Sequence, residues 1–111
     1  MAFTLDGTVV RLKGVVGTIR QERLEWDTSG GGRGALIADL RIERHGQPEL
    51  RGKLRFTSEA YERLPGKDDA EKASAVARRL IGWVSENGLF DGFFLRIDAN
   101  NDGVQIVDAS R

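Results

Sequence analysis

Apolar and polar residues change period twice along this chain, near residue 57 and again before Phe93, and those changes predict the architecture. Before residue 57 the apolar positions largely alternate, the signature of strands with one buried face. Phe3 and Leu5 precede an Asp6-Gly7 turn or bulge, and Val9-Val10-Arg11-Leu12 resumes an extended pattern. Lys13-Gly14 predicts a bend before Val15-Val16-Gly17-Thr18-Ile19-Arg20, where branched side chains favour pleated backbone. This strand extends toward Trp26, with a break permitted at the polar run Gln21-Glu22-Arg23. Leu24-Glu25-Trp26 and the run from Ala35 to Ile42 flank a glycine-rich segment, predicting a hairpin with a flexible tip at 28–34. Pro48 marks the next turn, within His45-Gly46-Gln47-Pro48-Glu49, and the run from Leu50 to Phe56 alternates again.

After residue 57 helical spacing takes over. The run from Thr57 to Leu64 predicts a short helix capped by Thr57 or Ser58 and ended by Pro65-Gly66. Asp68 or Asp69 caps a longer helix, in which Ala73, Val76, Ala77, Leu80 and Val84 form one apolar stripe flanked by Ile81 and Trp83. Lys72, Ala75, Arg79 and Glu86 fall largely on the other side, and Gly88 with Leu89 supplies a C-terminal cap. Phe93-Phe94-Leu95-Arg96-Ile97 and Val104-Gln105-Ile106-Val107 return to extended structure around an Asn100-Asn101-Asp102-Gly103 turn.

The order β-β-β-β-α-α-β-β implies an α+β fold, a mostly antiparallel sheet with one main helix packed on one face. Val10, Leu12, Leu36, Ala38, Leu40, Ile42, Leu54, Phe56, Phe93, Leu95, Ile97, Val104 and Ile106 would face that helix. At 111 residues the chain is expected to form a single compact domain spanning 1–111. Without a long apolar run or an export-like N-terminus, it is expected in the cytoplasm and not in a membrane.

Charge narrows the partners. Seventeen basic residues balance seventeen acidic ones, which argues against a broad field that attracts nucleic acid or anionic lipid. Thirteen of the basic residues are Arg, which favours planar, bidentate contacts. Cys is absent and His45 is the single histidine, so thiolate catalysis, Cys/His pairs and the common zinc-ligand sets are unavailable. No catalytic constellation and no cofactor motif is evident; the glycine run lacks the Lys-Ser/Thr of a phosphate loop, and the segment after it is strand-like.

Three groups of residues could meet a ligand. Trp26, with Tyr61 or Phe90, could supply aromatic anchors for a protein partner, and Arg33 at the hairpin tip could contact an anion or a protein. Arg51, Lys53 and Arg55 share one strand face, and with Phe94 and Arg96 could track a single-stranded nucleic acid. Asp98-x-Asn100-x-Asp102-Gly103 matches the first half of a calcium loop, but its twelfth position is Ala109, so an Asx-rich hairpin turn is the preferred reading. The chain is therefore expected to be a non-catalytic protein-interaction or regulatory module, self-associating as a homo-oligomer. Weak single-stranded nucleic-acid binding is the alternative.

Overall fold

A computed structural model describes residues 3–27 and 34–110, so residues 28–33 of the expected flexible tip, Arg33 among them, lie outside the described residues. The elements are β1 (Val9–Leu12), β2 (Val15–Asp27), β3 (Ala35–Arg44), β4 (Gln47–Thr57), α1 (Ser58–Arg63), α2 (Asp69–Asn87), β5 (Phe93–Asn100) and β6 (Gly103–Asp108). The expected α+β order is the one observed. The strands form a six-stranded sheet in sequential order, β1-β2-β3-β4-β5-β6. Every neighbouring pair is antiparallel except β4–β5, which is parallel because α1 and α2 carry the chain back across one face.

Alternation decides which residues that face buries. Val10, Ile19, Leu36, Ala38, Ile42, Leu54, Phe56, Leu95 and Ile97 are sealed from solvent, and α2 covers them with Ala73, Val76, Leu80 and Val84. Burying one Leu or Ile contributes about 1.5–3 kcal/mol, so this set dominates the driving force. α2 touches β1 toward one edge of the sheet and β6 toward the other. Ala75, read from spacing as solvent-facing, is buried. Lys72, placed with it, donates from Nζ to the carbonyls of Tyr61, Glu62 and Leu64 at 2.9, 3.1 and 3.0 Å, tying α2 to the end of α1. A helical wheel drawn for one helix cannot contain a second helix that approaches from the side.

The caps follow the sequence signals. Thr57 Oγ1 accepts from Ala60 N and Asp68 Oδ1 from Glu71 N, while Gly88 (φ 74°) ends α2 with its N–H on Val84 O. The turn between β3 and β4 is His45-Gly46, not Pro48. Pro48 lies inside β4, where the register slips between Ile42 and Arg44. That irregularity spares the ladder a bond that proline could not donate.

The polar run Gln21-Glu22-Arg23 is a bulge, not a break, because the register with β3 shifts there and the strand continues to Asp27. It has two effects. Before the bulge, Gln21 lies on the core face, and its side chain accepts from Leu5 N at 3.0 Å and donates to Phe3 O at 3.0 Å. That amide holds Phe3 and Leu5 in the core. After the bulge, Leu24 and Trp26 occupy the core face, opposite Ala38 and Leu36.

Candidate interaction surfaces

The face of the sheet away from α2 carries the expected basic residues. Parallel pairing of β4 with β5 sets Lys53 beside Phe94 and Arg55 beside Arg96, and Arg51 lies two residues earlier on β4. Arg20, Arg41 and Arg51 also form a row, since Arg20 pairs with Arg41 and Arg41 with Arg51. Adjacent like charges repel, and here carboxylates separate them. Arg20 bonds Glu43 at 2.8 Å; Arg41 reaches Glu22, Glu43 and Glu49 at 3.3, 3.0 and 3.2 Å; Arg51 bonds Glu49 at 2.7 Å. Lys53 lies 3.8 Å from Asp39, and Arg96 bonds Asp98 at 3.1 Å. The hydrogen bond from Arg20 holds the Glu43 carboxyl below its ordinary value, and those from Arg51 and Arg41 do the same for Glu49. This surface is a lattice of paired charges around a cleft of about 380 Å³ lined by Glu22, Asp39, Arg51, Lys53 and Phe94.

The three aromatic candidates are arranged unequally. Trp26, Leu36 and Phe56 make a cross-strand row on the core face. Phe56 is fully buried and stacks on Tyr61, with ring centroids 5.5 Å apart, while Phe3 meets both rings. Tyr61 is thus half-buried packing rather than a projecting anchor. Trp26, at the open end of the same row, is 54% exposed. Phe90 is 70% exposed and lies at the other end of the sheet, where it shares a cleft with Leu12, Arg44 and Leu50. Leu36 and Arg44 mark the two ends of β3, about 27 Å apart at the usual strand rise. Trp26 and Phe90 therefore do not form one site.

Phe90 also borders a second cleft, about 480 Å³, together with Trp83, Asn87, Asp91, Asp108 and Ser110. The loop that carries it is hooked to β4: Arg51 N donates to Asp91 Oδ1 at 2.9 Å, and Gly92 N to Arg51 O at 2.7 Å. Sequence reasoning missed Asp91 and Asp108 as lining residues beside Trp83, because the end of α2, the loop after it and the end of β6 assemble the cleft from separate segments and leave no local motif.

At the Asp98–Asp102 motif, the Asp98 carboxylate receives the Arg96 guanidinium at 3.1 Å, and Asn100 Oδ1 accepts from Asp102 N at 2.9 Å. The arrangement is an Asx turn closing the β5–β6 hairpin. Among the described residues no three His, Cys, Asp or Glu side chains are grouped to hold a metal ion. His45 sits at the exposed tip of the β3–β4 hairpin. Comparison with protein-family models, with curated protein sequences and with solved structures finds no match.

Proposed function

We propose that this chain is a non-catalytic protein-interaction or regulatory module that self-associates. The observation that supports this reading is the environment of Trp26. Its row-mates Leu36 and Phe56 are sealed, yet Trp26 is 54% exposed on the same face. Covering a large indole against a protein surface yields more binding free energy than covering most other side chains, which is why tryptophan recurs at binding hot spots. Light scattering of the full chain across a wide concentration range tests self-association; a monomeric mass throughout would defeat it. The heterologous arm is tested by affinity capture from the source cell, with Trp26→Ala as bait beside the wild type; equal recovery of the same proteins on both would remove Trp26 from the reading.

A second reading, weak binding of single-stranded nucleic acid, rests on the convergence of Arg51, Lys53, Arg55 and Arg96 around Phe94. The neighbouring carboxylates oppose it. Filter binding of a short single strand at low salt decides the matter, and no retention would remove it.

A further inference from the structure

We infer that two copies of this chain join through the free edge of β6, making one continuous sheet across an antiparallel β6–β6 pair and setting their α2 helices side by side. This rests on the self-association proposed above but assigns it a surface other than Trp26, which is left to the heterologous partner. Four observations lead there.

β6 is bonded to β5 alone among the described strands. Its hairpin closes on the pair Asn100–Gly103, so alternation leaves the N–H and C=O groups of Val104 and Ile106 directed at the open edge. The strand is also undefended. Free edges are usually blunted by charge, proline or a bulge; β6 carries a single charge, Asp108 at its last position, while Val104-Gln105-Ile106-Val107 carries none of these and keeps unbroken register with β5. The opposite edge, β1, is four residues long and carries Arg11, with Lys13 just beyond it.

Beside β6 runs a groove of about 310 Å³ lined by Arg78, Arg79, Gly82, Trp83 and Glu86 of α2. A side chain at Gly82 would meet nothing within 4 Å, so nothing in the fold requires a glycine there, although glycine weakens a helix interior relative to alanine. The flat spot it leaves admits a second helix. Charge supplies the complement. Among the described residues Arg78, Arg79 and Glu86 make no ion pair, in contrast to the paired lattice on the other face.

A two-fold axis satisfies all four observations together. Pairing centred on Gln105 sets that residue opposite its own counterpart and Val104 opposite the other copy's Ile106, so the outward backbone groups meet. Helices crossing antiparallel near Gly82 bring Arg78, four residues before it, to Glu86 of the other copy, four residues after it. The contact occurs twice.

The test uses sedimentation velocity on the full chain, with circular dichroism to confirm that each variant is folded. Arg78→Glu and Glu86→Arg, both at exposed positions, are each expected to weaken the dimer at least tenfold, and the double variant to restore it. Because the chain has no cysteine, Gln105→Cys offers a second measurement. Residues opposed in a non-hydrogen-bonded antiparallel pair lie about 4.5 Å apart at Cα, within disulfide reach, so oxidised glutathione should give a covalent dimer. Arg11→Cys, on the other edge, should not. A dimer that survives both charge reversals and is not cross-linked at residue 105 would overturn this interface while leaving self-association standing. A wild-type chain that stays monomeric would overturn both.

Discussion

Glycine-to-alanine changes at two positions should have opposite signs, and Gly52 gives the sharper test. Gly52 pairs with Phe93 at the parallel joint between β4 and β5. A methyl group at Gly52 would lie 2.3 Å from Phe93 Cγ, 2.4 Å from Cδ2 and 2.4 Å from the Phe93 carbonyl oxygen. The ring could rotate away, but the carbonyl is backbone and moves only if β5 moves from β4. Phe93 is buried, so that movement opens the core as well. Overpacking of this kind costs about 1–3 kcal/mol. The smaller entropy of the unfolded alanine chain returns roughly 0.5 kcal/mol. The expected net loss is about 1.5 kcal/mol, equivalent to a fall in Tm of roughly 6–9 °C for a domain of this size. Urea unfolding gives the same quantity independently, as a midpoint lower by about 0.5–1.5 M at unchanged slope. Gly82→Ala, in open space on α2, should instead stabilise the dilute protein by about 0.5–1 kcal/mol. If Gly52→Ala stays within about 0.5 kcal/mol of wild type, the reasoning from close approach is wrong.

Three further changes probe the packing and the charge lattice. Lys72→Met keeps the aliphatic stem but removes three hydrogen bonds, to the Tyr61 and Glu62 carbonyls of α1 and to Leu64 just beyond it; it should cost about 1–2 kcal/mol in urea unfolding, with amide exchange in α1 accelerating first. The Tyr61 hydroxyl is buried with no hydrogen-bond partner among the described residues, so Tyr61→Phe should leave Tm unchanged or raise it; a clear fall would mean that the hydroxyl is satisfied. Glu43 and Glu49 titrate below their ordinary value of 4.5, so their contribution is complete above that value and is lost as the pH falls through the lowered ones. Thermal unfolding monitored from neutral pH into acid should therefore show a shallower loss in Glu49→Gln than in wild type, and parallel curves would sink the assignment.

Much of the fold was legible because burial imposes period. Each stretch with one sealed face carried its alternation openly, and the helix caps Thr57, Asp68 and Gly88 announced themselves by residue type. The misreadings share a cause. Pro48 is a sound turn signal until an irregular register gives it a place within a strand, and Gln21-Glu22-Arg23 resembles a break until the bulge shows that two successive residues, Glu22 and Arg23, can face the same side. The spacing within α2 sets Lys72 toward solvent, although the end of α1 supplies its partners, and the same spacing does not reveal that Ala75 is buried. The surfaces were harder to read still. Lys53, Arg55 and Phe94 could be grouped from alternation, but the carboxylates paired with the cations of that face come from four different strands, Glu22 of β2, Asp39 and Glu43 of β3, Glu49 of β4 and Asp98 of β5. The groove beside β6 needed the distance between Gly82 and everything else, and only assembled structure supplies that.

The single parallel joint in the sheet also orders the assembly of the molecule in time. The β1–β4 meander is joined by connections of two, seven and two residues by their numbering, so its contacts form at small entropic cost. β4 can meet β5 only after the intervening segment with both helices has been gathered in, a loop of more than 35 residues by their numbering. Until then β4 presents an unpaired edge beside a half-built core. The last hairpin, β5–β6, is therefore the latch of the fold: chains caught before it closes would offer β4 to one another, and refolding yield should fall as protein concentration rises.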